Sequence, residues 1–203
     1  IRQKSQTTDL TKEIILFLHQ MLITGIKDEI AGRFRKPGEY VRVGRHIAPA
    51  PERVEGMVED NLASYASNLD GYFLEKVTKF HLQFEYIHPF IDGNGRIGRV
   101  LLNWQLQRLG LPSIVIRDKE KRLYYESLQV YDDTHHTKLM EKVIYLALSE
   151  SFHKRLAYLK SLEIITLADY VRKHKLSAPA TFNAARRQNL PAFREKGVWK
   201  IGD

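Results

Sequence analysis

Twelve consecutive residues, His88 to Arg99, carry the groups that handle phosphates and protons. They read His-Pro-Phe-Ile-Asp-Gly-Asn-Gly-Arg-Ile-Gly-Arg. An imidazole titrates near neutral pH and can accept a proton from a hydroxyl group. A carboxylate can bind a divalent metal ion, and glycines let backbone N–H groups approach an anion. The run therefore indicates a site that holds a nucleoside triphosphate with its metal and deprotonates a second substrate.

Each polar part of this run has a predicted role. His88 is the candidate general base, and Asp92 is the candidate ligand of Mg²⁺. The segment Gly93–Gly95 is expected to form a nest of backbone N–H groups at the start of a helix. Arg96 and Arg99 are three residues apart, so they can bind different phosphates. The predicted phosphate-binding residues are Asp92, Gly93, Asn94, Gly95, Arg96, Ile97, Gly98 and Arg99.

The neighbours of His88 should fix how it is presented. Pro89 favours extended backbone at the residue before it. Phe90 is expected to anchor the loop in the core. Three other histidines lie at apolar helix positions, and we expect ordinary structural roles for them; they are His19, His81 and His153.

The same run also contains a misleading match. Gly93–Gly98 fits G-x-G-x-x-G, the dinucleotide-binding fingerprint, which has to follow a buried strand within a βαβ unit. The preceding segment, Leu74–Tyr86, has helical periodicity instead. The sequence therefore argues against a dinucleotide-binding fold.

Composition limits the remaining classes. The chain has 203 residues, a net charge of +8 and no cysteine. Disulfides, thiolate zinc sites and cysteine nucleophiles are thus excluded. No apolar stretch is long enough to span a bilayer, and no signal-peptide pattern is present. These features predict a cytoplasmic protein with no membrane partner.

Helices must position the site, and the sequence predicts an all-α bundle with a small β-hairpin. The hairpin is expected at Tyr40–Val43, within a segment rich in glycine and proline. Apolar residues recur at helical spacing in the segments Leu10–Ile26, Glu52–Ser67, Leu74–Tyr86, Arg96–Leu109, Lys119–Asp132 and Lys138–Leu159.

The last 43 residues have a different pattern. Two short helices, starting at Leu167 and Ala178, are followed by two β-like arms around Gly197, which predicts a helix–turn–helix with a wing. Residues 160–203 hold nine Lys or Arg against four Asp or Glu. We therefore predict two domains, residues 1–160 and 161–203.

From His88 to Arg99 the chain resembles the Fic (Fido) domain family, whose pattern His-Pro-Phe-x-(Asp/Glu)-Gly-Asn-Gly-Arg-x-x-Arg it matches throughout. The resemblance covers about residues 10–150. It implies a Fic-type helical bundle that transfers AMP from ATP to a hydroxyl side chain (Ser, Thr or Tyr) of a target protein, with Mg²⁺ held by Asp92. It also implies that Asn94 stabilises the α-phosphate.

The resemblance also implies roles outside the run. A β-hairpin flap, comprising Val41, Arg42, Val43 and Gly44, would clamp the nucleotide and pair with the target. Tyr124 and Tyr125 would border the base and the ribose. Transfer of UMP, phosphocholine or phosphate stays open as an alternative.

Two departures from the family pattern matter. Asp132 stands where many relatives carry an asparagine near the adenine, which leaves the preferred nucleotide open. The inhibitory helix pattern (Ser/Thr)-x-x-x-Glu-(Gly/Asn) is not found, and only nine residues precede Leu10. We therefore expect the helix to be absent from this chain: either it lay upstream of these residues, or inhibition comes from a separate partner.

The tail, residues 164–201, resembles the winged helix–turn–helix of excisionase and MerR-type proteins. This implies that DNA is a partner, with contacts from Thr181, Asn183, Arg186 and Arg187. The other interpretation of the tail is a folded appendage that docks targets or a second copy in a homodimer. A DNA-binding regulator with an inactive, nucleotide-sensing core is the non-enzymatic alternative.

Overall fold

A computed structural model describes residues 8–68, 70–117 and 121–203. The chain divides into two compact units. The first comprises Ile1–Leu111 and Arg117–Glu141, and the second comprises Pro112–Ile116 and Lys142–Asp203. The boundary predicted near Ser161 stays a prediction. No helix in the described part of the chain is long and apolar enough to cross a membrane.

The first unit is mostly helical, as predicted. Thr11 caps the first helix by accepting a hydrogen bond from the N–H of Ile14, and Pro51 occupies the first turn of the second. A helix predicted from Lys119 is described from Lys121, because residues 118–120 lie outside the described ranges. The helices are α1 (Lys12–Ile23), α2 (Pro51–Ser67), α3 (Phe73–Ile87), α4 (Asn94–Arg108), α5 (Lys121–Thr134) and the start of α6 (Lys138–Leu159).

The end of α4 shows how the sequence fixes a boundary. Gly110 follows the helix with φ +75°, and the N–H of Leu111 donates to the carbonyl of Leu106 at 2.9 Å. This six-residue closure is a Schellman motif, which favours glycine because the position is left-handed. Helix α4 therefore ends close to the end of the predicted segment Arg96–Leu109.

The core of the first unit is formed by α1 to α4 and the loop after α3. Its large members lie at the helical spacing predicted from the sequence. They include Ile15, Val58, Phe80, Leu101 and Trp104, each 2% exposed or less. Burying these side chains fixes α3 against α4, and the loop between the two helices carries the phosphate-binding run.

The flap is a very short hairpin. Strand β1 (Arg42–Val43) pairs antiparallel with β2 (His46–Ile47) around a turn at Gly44, where φ is +61°. The predicted strand from Tyr40 is thus reduced to two residues, with one more backbone hydrogen bond from the N–H of Ala48 to the carbonyl of Val41.

The second unit contains most of α6 and a small sheet. Its other elements are β3 (Ile164–Thr166), α7 (Leu167–Lys173), α8 (Ala178–Arg186), β4 (Ala192–Glu195) and β5 (Val198–Gly202). The three strands are antiparallel in the order β3-β5-β4. Leu167, Ala185 and Ile201 lie in its apolar core. A buried ion pair, Glu150 with Arg194 at 2.7 Å, joins α6 to β4.

Candidate active site

His88 ends α3 in a left-handed conformation, with φ 48° and ψ 60°. Its N–H donates to the carbonyl of Phe84 at 3.1 Å, as in a helix C-cap. The extended backbone predicted from Pro89 is wrong here, because the closing hydrogen bonds of α3 and a buried arginine outweigh the preference imposed by proline.

That arginine is Arg35, which the sequence analysis missed. Its side chain is 4% exposed, and its Nε donates to the carbonyl of His88 at 2.9 Å. Its other nitrogens donate to the carbonyls of Ile87, Glu39 and Pro49 at 3.3, 3.1 and 2.8 Å. Arg35 therefore fixes the backbone of His88 from a loop 53 residues upstream.

Phe90 anchors the loop as predicted, with 0% exposure. Its ring stacks on that of His19, with the centroids 3.7 Å apart and the planes 5° from parallel. Nδ1 of His19 accepts from the N–H of Gly32 at 3.0 Å, so its Nε2–H donates to the carbonyl of Asp92 at 3.0 Å. Burial lowers the pKa of His19, which keeps the imidazole neutral and both contacts satisfied.

Asn94 and Gly93 set the turn into α4. The side-chain amide of Asn94 pairs with Phe90, accepting from its N–H and donating to its carbonyl, each at 2.8 Å. Gly93 has φ +85° and lies so close to α1 that an added Cβ would be 3.1 Å from a methyl group of Ile23. The contact of Asn94 with the α-phosphate stays a prediction, since this structure uses both ends of its amide to shape the loop.

Asp92 points toward solvent at the N-terminus of α4. Its side chain is 38% exposed, and its Oδ2 accepts from Nζ of Lys27 at 2.9 Å. Arg96 contacts Oδ1 at 3.4 Å. The hydrogen bond from Lys27, the largest influence, lowers the pKa of Asp92, so the carboxylate is charged at neutral pH. No local sequence pattern indicates that Lys27 lies beside Asp92.

A cavity of about 220 Å³ opens beside His88. The flap residues Val43 and Gly44 and the helix residue Tyr125 line it, whereas Val41 and Arg42 lie outside its lining. The remaining lining residues are Arg45, His46, Leu82, Glu85, Tyr86, Leu128, Gln129, Tyr131 and Asp132.

His46 ties the flap to the helices that enclose this cavity. Its Nε2 donates to the carbonyl of Tyr86 at 2.8 Å, and its Nδ1 is 2.7 Å from Oδ1 of Asp132. Both ring nitrogens of His46 therefore face oxygen atoms, one on α3 and one on α5. Asp132 thus holds the flap as well as lining the cavity.

Tyr124 is 2% exposed and lies outside the lining of the cavity. Its hydroxyl is 2.8 Å from Nε2 of His81 and 3.3 Å from Oε1 of Glu85. This corrects the prediction that Tyr124 borders the base, because a buried phenol takes partners within the core. Tyr125, which is 51% exposed, is the tyrosine that faces the cavity.

Together these residues place the imidazole of His88, which can accept a proton, near the N-terminus of α4, which favours anions. Burial, the largest influence, lowers the pKa of His88 to about 4, so its ring is neutral at pH 7. The N-terminus of α4, with Arg96 and Arg99 in its first turns, presents N–H groups and positive charge, which favour anions.

Comparison with known proteins agrees with this geometry. The Fic/DOC family model matches residues 9–106, which include the whole run from His88 to Arg99. This part of the chain is similar to the Fic/DOC family. The matched part ends in α4, so Tyr124, Tyr125 and Asp132 lie beyond it.

Curated relatives share part of the chain. The protein adenylyltransferase Fic of Nematostella vectensis is 36% identical over 129 residues, which cover 62% of this chain and 29% of the relative. That of Drosophila willistoni is 33% identical over 132 residues, which cover 63% of this chain and 26% of the relative. The chain thus spans about a quarter of the length of these relatives.

Solved structures share the fold. A Fic family protein from Desulfovibrio desulfuricans is 25% identical, with a TM-score of 0.61 over 100% of this chain and 72% of that one. This chain therefore has a Fic-like, mostly helical fold.

Residues predicted to contact DNA lie in the second unit and differ in exposure. Asn183, Arg186 and Arg187 are exposed on or just after α8. Thr181 is 8% exposed, and its hydroxyl donates to the carbonyl of Ser177 at 2.8 Å. Thr181 is therefore a structural residue of α8, because its only polar group is committed to the preceding turn.

Proposed function

We propose that this chain is a protein adenylyltransferase, which transfers AMP from ATP to a Ser, Thr or Tyr hydroxyl group of a target protein. The observation that carries the proposal is the position of His88. Its neutral imidazole lines a cavity of about 220 Å³, and the loop after it leads into the N-terminus of α4, a position that favours anions. The name shared by the curated relatives supports the same reaction.

His88 has one nitrogen available as a base. Its Nδ1 donates to the carbonyl of Glu85 at 3.3 Å, which leaves the lone pair of Nε2 free. In the proposed step, Nε2 takes the proton of the target hydroxyl group, whose oxygen forms a bond to the α-phosphorus. The bond from this phosphorus to the bridging oxygen of the β-phosphate breaks, and pyrophosphate leaves with the electron pair.

The phosphates would lie against the start of α4. Its free N–H groups and the nearby Arg96 and Arg99 would bind the negative charge, and this charge stabilisation supplies most of the catalysis. Donors at fixed positions would also hold the phosphates in one orientation, which favours in-line attack by the target oxygen.

Asp92 fits the requirements of a magnesium ion. Mg²⁺ is usually held by one or two carboxylates together with substrate phosphates. Asp92 is such a carboxylate, charged and partly exposed beside the anion site. In the described residues no group of three or more His, Cys, Asp and Glu side chains could hold a metal ion alone. Bound Mg²⁺ would neutralise charge that develops on the phosphates.

The cavity would hold the nucleoside. Tyr125 and Leu128 offer apolar surface to a base, and Val43 and Gly44 would close over it. The exposed edge of the flap around Val41 and Arg42 would pair with an extended segment of the target. The identity of this target, a separate inhibitory partner and a homodimer stay predictions.

Label transfer tests this proposal. The chain is incubated with Mg²⁺, a cell lysate and ATP that carries the label on the α-phosphate, and His88→Ala is compared with the exposed-histidine control His136→Ala. We expect labelled protein with the native chain and the control, and none with His88→Ala. Equal labelling by His88→Ala would refute the role of His88 as the base.

The same assay separates the alternatives. Transfer from UTP, from a phosphocholine donor or from the γ-phosphate of ATP would identify a different transferred group. Nucleotide binding with no transfer by any variant would favour the inactive, nucleotide-sensing core.

We also propose that residues 161–203 form a winged helix–turn–helix that binds DNA. The order of α7, α8 and the β4–β5 hairpin supports it, as do the exposed side chains of Asn183, Arg186 and Arg187. Binding to random duplex DNA should weaken with salt and be lost in the Arg186→Ala/Arg187→Ala double variant, but not in Arg172→Ala. No binding at low salt would refute this proposal.

A further inference from the structure

A buried carboxyl group lies next to the proposed active site, and the mechanism above does not use it. Glu85 is on α3, one turn before His88, and is 8% exposed. It lines the cavity of about 220 Å³. A carboxyl group in such a place has to be neutral or paired, because an isolated buried charge is costly.

His81 and Tyr124 lie beside Glu85 in the core. His81 has Nδ1 3.2 Å from the carbonyl of Gly98, an atom that only accepts, so Nδ1 carries the proton. Burial lowers the pKa of His81 to about 4, so its Nε2 is an acceptor, 2.8 Å from the hydroxyl of Tyr124. The same hydroxyl donates to Oε1 of Glu85 at 3.3 Å, which favours the carboxylate, whereas burial is the larger influence and favours the neutral acid.

Arg99 is the other charged group beside Glu85. An added Cβ on Gly95 would lie 3.2 Å from Nη1 of Arg99 and 3.9 Å from Oε1 of Glu85, so both atoms flank the same glycine. On Gly98 such a Cβ would be 2.3 Å from Oε1. The two glycines leave a space in which the carboxyl group and the guanidinium approach each other.

We propose that Glu85 is a positioning residue for Arg99: as a neutral acid it leaves Arg99 to bind a nucleotide phosphate, whereas as a carboxylate it binds Arg99 in competition with that phosphate. This inference rests on the proposed function, since it concerns the phosphate-binding role of Arg99.

The direction of the pH dependence follows from burial. Burial raises the pKa of Glu85 to about 7, although the charge of Arg99 acts in the opposite direction. The neutral, binding-competent form therefore predominates at pH 6, and the carboxylate predominates at pH 8. If only the neutral form leaves Arg99 free, the affinity for ATP falls about tenfold between these two pH values.

Other titratable groups around Glu85 are separable from it. On α3, His81 and His88 have pKa values of about 4 and stay neutral from pH 6 to 8. Tyr124 on α5 has its pKa raised well above 10. His46 on the flap and Asp132 on α5 share the cavity, and a comparison with a Glu85 variant cancels their contribution and that of ATP itself.

Calorimetric titration with ATP and with AMP, at pH 6, 7 and 8 and constant Mg²⁺, tests the inference. The proteins are the native chain, Glu85→Gln and a control on α5, Glu126→Gln, whose side chain is exposed. Between pH 6 and pH 8, the affinity for ATP should fall about tenfold further in the native chain and in Glu126→Gln than in Glu85→Gln. AMP, which lacks the β- and γ-phosphates, should show no such difference.

Parallel pH profiles of ATP binding for the native chain and Glu85→Gln would overturn the inference while leaving the proposed function intact. Absence of ATP binding by every protein would overturn the proposed function and this inference together. Should circular dichroism show that Glu85→Gln does not fold, Arg99→Gln replaces it. In that variant ATP binding should be weak and should lose the same pH-dependent component, and its persistence would refute the inference.

Discussion

Replacing Arg35 with methionine removes the guanidinium that holds the end of α3 in place. Methionine keeps much of the apolar stem but leaves four carbonyl oxygens, including those of His88 and Ile87, without their donor. Each buried acceptor left unpaired costs about 1–3 kcal/mol. Relief of the cost of burying the guanidinium, whose pKa burial lowers, offsets part of this loss. We expect a net loss of about 3–5 kcal/mol in the free energy of unfolding.

Urea unfolding followed by circular dichroism measures this loss, with Arg45→Met as the matched control. Arg45 is 62% exposed and pairs with an exposed carboxylate of Asp133, so its replacement should cost about 0–1 kcal/mol. At a urea concentration where Arg35→Met is still folded, transfer should also be slower, because the backbone of His88 is no longer held. Equal stability of the two variants would refute the idea that Arg35 organises the site.

Three further predictions concern the loop and its charges. Lys27→Met should lower the Mg²⁺ concentration that half-saturates ATP binding by up to about fivefold, as expected when an exposed ion pair with Asp92 is removed; an unchanged titration would exclude competition by Lys27. Gly93→Ala should lower the free energy of unfolding by about 1–2 kcal/mol because its backbone is left-handed, and by more because the added methyl group would contact α1. Gly110→Ala, also left-handed but in open space, should show only the backbone cost, so equal urea midpoints for the two variants would contradict this prediction. With saturating ATP, the transfer rate should stay constant from pH 8 to about 5.5, because the pKa of His88 is lowered to about 4; a half-maximal rate near pH 6.5 would argue against it.

Local sequence patterns predicted most of the helices and the loop that leads into α4. The periodicity of Leu74–Tyr86 and the glycine at position 110 each report on contacts within a few residues, so a single stretch of sequence contains the information. The run from His88 to Arg99 was predictable for the same reason, because its residues act together within one loop and one helix turn.

Contacts between distant residues were not predictable in this way. Arg35 reaches His88 across 53 residues, and His46 reaches Asp132 across 86. The same kind of contact reversed two expectations, since the buried partners of Tyr124 turn it away from the cavity and Arg35 outweighs the backbone preference of Pro89. A sequence shows which groups are available, whereas packing decides which of them meet.

The stacking of His19 on Phe90 links the loop to a helix that precedes it by about 70 residues, since Nε2 of His19 bonds the carbonyl of Asp92 at a sequence separation of 73. The shape of the loop is therefore a property of the finished domain and not of the segment that carries it. A ribosome-bound chain cannot assemble this loop until α1, α3 and the start of α4 have all emerged and docked. During denaturation, the shape of the loop should therefore be lost together with the core.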